Sequence, residues 1–152
     1  MAAKPTEQVL TSLQDTLVDL IDLSLQAKQA HWNIYGSHFR SVHLQLDEVT
    51  DEVRLASDDV AERLVAIGGE PDGRAGTVAS ASQVEGLSAG RLADDKVIRQ
   101  FEERLQGAAD RIKARLDAVE ESDPLSHDLL VGIATGLEKQ AWMFRAASGD
   151  AS

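Results

Sequence analysis

Cysteine is absent from the 152-residue chain. Disulfides, thiolate metal sites and cysteine nucleophiles are therefore excluded, so a metal ion could be held only by nitrogen and oxygen ligands. Aromatic residues are also scarce, at 4%, whereas hydrophobic residues reach 43%. This composition predicts a single domain over residues 1–152 with an aliphatic core and short polar tails at about 1–5 and 148–152.

The sequence lacks any apolar run near the roughly 18 residues of a membrane span. Its start, "MAAKPTEQVL", lacks the basic and apolar regions of a secretory signal, so we expect a cytoplasmic protein without a membrane partner. Basic residues are few: 15 Lys and Arg stand against 26 Asp and Glu, a formal net charge of -11. This charge argues against a surface that binds nucleic acid by neutralising phosphates.

The apolar residues that are present recur at helical spacing in four long segments. Gly36 breaks the first segment, and Ser37 is predicted to cap the second helix. Asp123 can cap the last helix, with Pro124 in its first turn. The predicted helices are Thr6 to Asn33, Ser37 to about Ile67, about Leu92 to Glu121, and Pro124 to about Ala147.

A connection rich in small residues, from Glu70 to about Gly90, separates the second and third predicted helices. We expect a short helix within it, around Ala75 to Ser80. Two helical hairpins joined by a long crossover predict an all-α fold of the ferritin-like four-helix bundle type.

Four metal-binding side chains share one face of the predicted second helix. His43 and Asp47 form one i, i+4 pair, and Asp58 and Glu62 form another. Asp47 and Asp58 are eleven residues apart, close to three full turns, so both pairs lie on nearly the same side. One imidazole and three carboxylates therefore line one stripe.

The two pairs of the stripe cannot bind one metal ion within a single chain. Their centres lie roughly 22 Å apart at the rise of an α-helix, whereas metal–ligand bonds are only about 2 Å long. The stripe is therefore a solvated face, two poor half-sites, or two halves completed by another molecule. A two-fold dimer with antiparallel second helices crossing near Glu52 and Val53 would complete both.

His31 ends the first predicted helix, and the bundle can fold it back beside His43. Imidazoles and carboxylates together suit iron(II), manganese(II) or zinc(II), and the carboxylates favour the Fe(III) product. Trp32 and Trp142 could serve as oxidisable aromatics near such a site, although packing is the role we predict for them. The chain has no Glu-x-x-His motif, so the di-iron site inside the bundle of ordinary ferritins is missing.

The segment "KQAHWNIYGSHFRSVHLQLDEV", followed by "SDDVAERLVAIGGEPDG", resembles the signature of the Dps family, and "LEKQAWMFRA" resembles its last helix. The resemblance implies a dodecameric cage built from two-fold dimers, with an iron-oxidising centre at each two-fold interface. Each centre would take His31, His43 and Asp47 from one subunit and Asp58 and Glu62 from its neighbour. The resemblance also implies Fe(II) oxidation, preferably by hydrogen peroxide, and storage of ferric mineral, which would limit oxidative damage. Iron ions could bind in pairs, and zinc or manganese could take their place.

Further roles are predicted for other acidic residues. Glu48, Asp51 and Glu52 are candidates for mineral nucleation, and Asp123 and Asp128 for the acidic entry pore of the family. Asp123 could instead be only a helix cap. We expect weak or absent DNA binding, because "MAAKPTEQVL" has one lysine and "ASGDAS" has no basic residue.

Two alternatives stay open at this point. The protein could coat DNA as a nucleoid-associated protein with minor iron chemistry. It could also be a structural helical assembly whose stripe makes polar interface contacts and holds zinc or nothing.

Overall fold

The computed structural model describes residues 5–150. The outermost parts of the predicted tails, residues 1–4 and 151–152, lie outside this range. The described chain contains five helices and one pair of two-residue strands. In chain order they are α1 (Glu7–Asn33), β1 (Ile34–Tyr35), α2 (Phe39–Ala66), α3 (Ala75–Ala81), β2 (Leu92–Ala93), α4 (Asp94–Glu120) and α5 (Pro124–Ala147).

The four long helices form two hairpins that share one core. α1 packs mainly against α2, and α4 packs mainly against α5, with further contacts between α1 and α4. The core is aliphatic apart from Phe101 and Phe144, whose ring centroids lie 5.9 Å apart. Burial of each Leu or Val side chain contributes about 1.5–3 kcal/mol, so this shared core holds the hairpins together. The predicted all-α four-helix bundle, with a short helix in its crossover, is confirmed.

The first helix starts as predicted, and the second does not. Thr6 is the N-cap of α1 and accepts a hydrogen bond from the Val9 N–H over 3.4 Å. The prediction that Ser37 caps α2 is wrong, because His38 occupies the N-cap position and the Ser37 hydroxyl lies 3.3 Å from the His38 ring. The carboxylate of Asp94, from α4, accepts the hydrogen bond of the His38 backbone N–H instead.

The third long helix begins two residues later than predicted. Leu92 and Ala93 do not join α4, because they pair in parallel with Ile34 and Tyr35. α4 therefore begins at Asp94, and this short strand pair ties its start to the turn between α1 and α2. The last helix begins at Pro124, as predicted.

A buried arginine anchors the crossover between α2 and α4. Arg104 is 5% exposed, and its Nε donates to Gln26 Oε1 and to the Glu85 carbonyl, both over 3.0 Å. Its Nη2 donates to the Gly86 carbonyl over 2.7 Å. Because a buried charge is tolerated only when its hydrogen-bonding groups are satisfied, these bonds fix the crossover against α1 and α4. Within residues 5–150, none of the helices is both long and apolar enough to cross a membrane.

Candidate metal centre

His31 and His43 lie against each other where α1 ends and α2 begins. Their rings stack with centroids 3.6 Å apart and planes 12° apart. Each Nδ1 lies 2.7 Å from the backbone carbonyl of the other histidine. Because a carbonyl can only accept, each Nδ1 must carry a proton. In the neutral ring, the lone pair then sits on Nε2, which is the form that binds a metal ion.

Asp47 adds a carboxylate to the two histidines. Its Oδ1 lies 3.5 Å from His31 Nδ1 and forms an ion pair with Lys28 Nζ. The hydrogen bond from Lys28 is the main reason that the pKa of Asp47 is lowered, so this carboxylate is ionised at neutral pH. In the single chain, the ammonium group of Lys28 is therefore the cation that balances the charge of Asp47 beside the histidines.

Lys28 was missed by the sequence reasoning. A signal was present, because Lys28 stands three residues before His31 and therefore shares its face of α1. The position of its ammonium group opposite Asp47 depends on the packing of α1 against α2, which local spacing does not give.

Asp58 and Glu62 are both exposed on α2, away from the histidines. Within residues 5–150, no group of three or more His, Cys, Asp and Glu side chains is arranged to hold a metal ion. The candidate ligands therefore form two separate sets. We call His31, His43 and Asp47 the histidine half-site, and Asp58 and Glu62 the carboxylate half-site. These half-sites lie roughly 22 Å apart along the helix axis.

An open groove of about 650 Å³ borders the histidine half-site, with Lys28, Trp32 and Arg54 among its lining residues. Three large apolar side chains on α1 and α2 are exposed: Leu25 by 57%, Trp32 by 68% and Leu55 by 65%. The prediction that Trp32 and Trp142 pack is wrong for the single chain, because Trp142 is also 54% exposed. Leu25 and Trp32 both line this groove, and exposed apolar side chains in one region mark a surface suited to a protein partner.

The candidate nucleation residues have different environments. Glu48 and Asp51 are exposed on α2. Glu52 instead packs against α5, where Gly136 leaves room for its carboxylate. Burial raises the pKa of Glu52, and its Oε2 is buried with no hydrogen-bond partner within residues 5–150. The nucleation role of all three residues stays a prediction.

The candidate pore residues also differ. Both oxygens of Asp123 lie 2.9 Å from Arg63 Nη2, and the Ser126 hydroxyl donates to Oδ2 over 2.5 Å. Burial alone would raise the pKa of Asp123, but these hydrogen bonds outweigh it, and the pKa is lowered. Asp123 stands at the predicted N-cap position of α5, but its side chain makes no cap hydrogen bond, whereas Asp128 is exposed. Their role in a pore stays a prediction.

A four-helix bundle with a long crossover and a histidine–carboxylate half-site defines a ferritin-like protein, and the family model described as Ferritin-like domain matches residues 10–151. The DNA protection during starvation protein 2 of Deinococcus radiodurans is 38% identical over 89% of this chain, which spans only 56% of that relative. The DNA protection during starvation protein of Mycolicibacterium smegmatis is 30% identical, with 96% of this chain and 80% of the relative covered.

Solved structures of Dps proteins have the same fold as this chain. The Dps92 crystal structure from Deinococcus radiodurans has a TM-score of 0.90 and 36% identity, covering 92% of this chain and 85% of that one. Dps from Microbacterium arborescens in the high iron form has a TM-score of 0.85 and 28% identity, covering 98% and 100%. The chain belongs to the Dps family of ferritin-like proteins.

Proposed function

We propose that this protein oxidises Fe(II), preferably with hydrogen peroxide, and stores the ferric product in a dodecameric cage, which protects the cell from oxidative damage. Membership of the Dps family supports iron storage and protection from oxidative stress in general. The observation that carries the proposal is the reciprocal bonding of His31 and His43, because it leaves the Nε2 lone pair of both rings free, while the ionised Asp47 carboxylate lies 3.5 Å from His31 Nδ1.

The centre would be completed across a two-fold interface. An antiparallel pairing of two α2 helices would bring the partner subunit's Asp58 and the partner subunit's Glu62 to the histidine half-site of this chain. The exposed apolar side chains beside this half-site, Trp32 among them, would be covered in the same contact. Each dimer would then contain two equivalent centres, and neither subunit would have a complete one alone.

Iron enters this centre as the substrate. Its charge would replace the ammonium group of Lys28 at Asp47, and imidazole Nε2 atoms and carboxylates suit Fe(II) as ligands. The anionic carboxylates stabilise Fe(III) more than Fe(II), which favours electron loss. Two Fe(II) ions supply the two electrons that convert one hydrogen peroxide and two protons to two waters, so no hydroxyl radical need be released. Hydrolysis of the Fe(III) product releases protons, and exposed carboxylates such as Glu48 and Asp51 would bind the growing mineral.

Anaerobic mixing of metal-free protein with Fe(II), followed by substoichiometric hydrogen peroxide, tests this function. We expect rapid growth of ferric absorbance in the wild type and loss of this rate in Asp58→Ala/Glu62→Ala. The matched control is Asp59→Ala/Glu70→Ala, which removes the same charge from two exposed positions outside the stripe. Equal, slow traces for wild type and the half-site variant would contradict the proposal. The same protein titrated with Fe(II), Mn(II) and Zn(II) gives the number of ions per centre and their competition.

A DNA-coating function is the second candidate, because two relatives are named for DNA protection. For this chain we propose chemical protection instead. A formal net charge of -11 on each subunit makes contact with phosphates unfavourable and sensitive to salt.

A further inference from the structure

The turn between the two histidines is held by a third helix. Residues 34–38 connect α1 to α2, so their conformation decides where His43 stands relative to His31. Ile34 pairs with Leu92, and both side chains are almost fully buried. The turn is therefore attached to the segment that leads directly into α4.

Asp94, the first residue of α4, bonds the turn through its carboxylate. Its Oδ2 accepts from the His38 backbone N–H over 2.7 Å and from His38 Nδ1 over 3.1 Å. Its Oδ1 accepts from the Asp95 N–H over 2.8 Å. Asp94 is 8% exposed, and the hydrogen bond from the His38 backbone is the main reason that its pKa is lowered.

This carboxylate replaces a cap that α2 lacks. His38, the N-cap residue, makes no side-chain cap hydrogen bond of its own, and the first turn of α2 contains no acidic residue. An anion at the start of a helix compensates its free N–H groups and the positive end of its dipole. Asp94 supplies this anion to α2 from outside, and to its own helix as well.

Gly36 makes the close approach of Asp94 to the turn feasible. Its φ is +130°, and a Cβ at this position would lie 2.4 Å from Asp94 Cγ. Only glycine fits this conformation and this distance. The turn is thus shaped around the carboxylate.

The reciprocal hydrogen bonds of His31 and His43 form only when the turn places α2 correctly against α1. Each ring reaches the carbonyl of the other over 2.7 Å, so a shift of α2 relative to α1 would break both bonds together. His38 precedes His43 by five residues, less than one and a half helical turns, so the position of the first turn of α2 directly determines the position of His43.

We propose that Asp94 is a positioning residue of the iron site: from the start of α4 it fixes the first turn of α2 and thereby the placement of His43 against His31. This inference rests on the iron chemistry proposed above. The hydrogen bonds of Asp94 go to His38 and Asp95 and not to His31 or His43, so it acts through His38 and the turn.

Anaerobic titration of the metal-free, assembled protein with Co(II) tests the inference, because the Co(II) absorption spectrum reports both affinity and ligand geometry. We expect Asp94→Ala to weaken Co(II) binding by about 10-fold, the lower end of the effect of losing a direct hydrogen-bond partner of a metal ligand, because Asp94 acts one step further from the ligands. Asp94→Asn keeps one acceptor oxygen at the same position, so its affinity should fall between those of wild type and Asp94→Ala.

The matched control is Thr6→Ala, which removes the cap at the opposite end of the helix that carries His31. Both variants should lose thermal stability, but only Asp94→Ala should change the Co(II) spectrum and affinity. Wild-type Co(II) binding by Asp94→Ala would overturn this inference alone. No Co(II) binding by the wild type would overturn the proposed function, and this inference with it. Should Asp94→Ala fail to assemble, Asp94→Asn decides, and wild-type affinity in that variant would overturn the inference.

Discussion

Two inactive variants should restore each other if the metal centre is shared between subunits. The first variant, His31→Ala/His43→Ala, keeps the carboxylate half-site, and the second, Asp58→Ala/Glu62→Ala, keeps the histidine half-site. In a mixed two-fold dimer, one centre combines the intact half of each chain, whereas the other centre combines both damaged halves. Activity lost in each parent should therefore return in the mixture.

The size of the recovery follows from the geometry. Random reassociation of equal amounts of the two variants makes half of the dimers mixed. One of the two centres in each mixed dimer is intact, so about a quarter of all centres should be active. The two half-sites of one chain lie roughly 22 Å apart, so a chain cannot complement itself. Initial rates should therefore reach about a quarter of the wild-type rate.

The assay compares initial Fe(II) oxidation by hydrogen peroxide after the variants are dissociated and reassociated together or separately. Native mass spectrometry of isotope-labelled chains verifies that mixed assemblies form. The control mixture pairs His31→Ala/His43→Ala with Asp47→Ala, which damages the same half-site and should give no recovery. Mixed assemblies that stay as inactive as this control would refute the shared centre.

Three further predictions concern charge. Lys28→Met removes the cation that competes with a metal ion at Asp47, so Co(II) affinity should rise by about two- to five-fold, the contribution of a partly exposed ion pair. Lys96→Met, at an exposed position, should leave the Co(II) affinity unchanged in the same titration. Because the pKa of Asp123 is lowered in the folded protein, its ionised carboxylate stabilises the fold at pH values above the ordinary carboxylate pKa. This stabilisation is lost as the pH falls through the pKa of Asp123 in the folded protein. Thermal unfolding from pH 7 to 2 should show this loss in wild type and a flatter profile in Asp123→Asn. Gel-shift assays at physiological salt should show no retained DNA, and tight retention would favour a DNA-coating protein.

Local sequence signals were sufficient for most of the bundle. Apolar spacing gave the four long helices, and the chemistry of Pro124 gave the start of the last one. The stripe on α2 also followed from helical periodicity, because its members belong to one helix. These features depend on neighbours in the chain, which is why they could be read directly.

The features that escaped prediction depend on contacts between distant parts of the chain. Leu92 and Ala93 form a strand because Ile34 and Tyr35 lie beside them, which no local propensity indicates. The cap of α2 is another case, because the carboxylate near His38 comes from Asp94, 56 residues later. Ser37 looked like a capping residue, but the acceptor for the turn was already supplied from α4.

The long-range contacts explain how two half-sites could work as one centre. The histidine half-site is ordered within the chain by reciprocal hydrogen bonds, so under the proposed function its side chains would need little rearrangement to bind iron. The carboxylate half-site is exposed on a long, regular helix, and its direction is therefore fixed by the backbone of α2. Apolar contacts between subunits, including Leu25 and Trp32, would then bring the two halves together without metal. Because Lys28 pairs with Asp47 in the chain without metal, an empty centre would not leave that carboxylate unpaired in the interface.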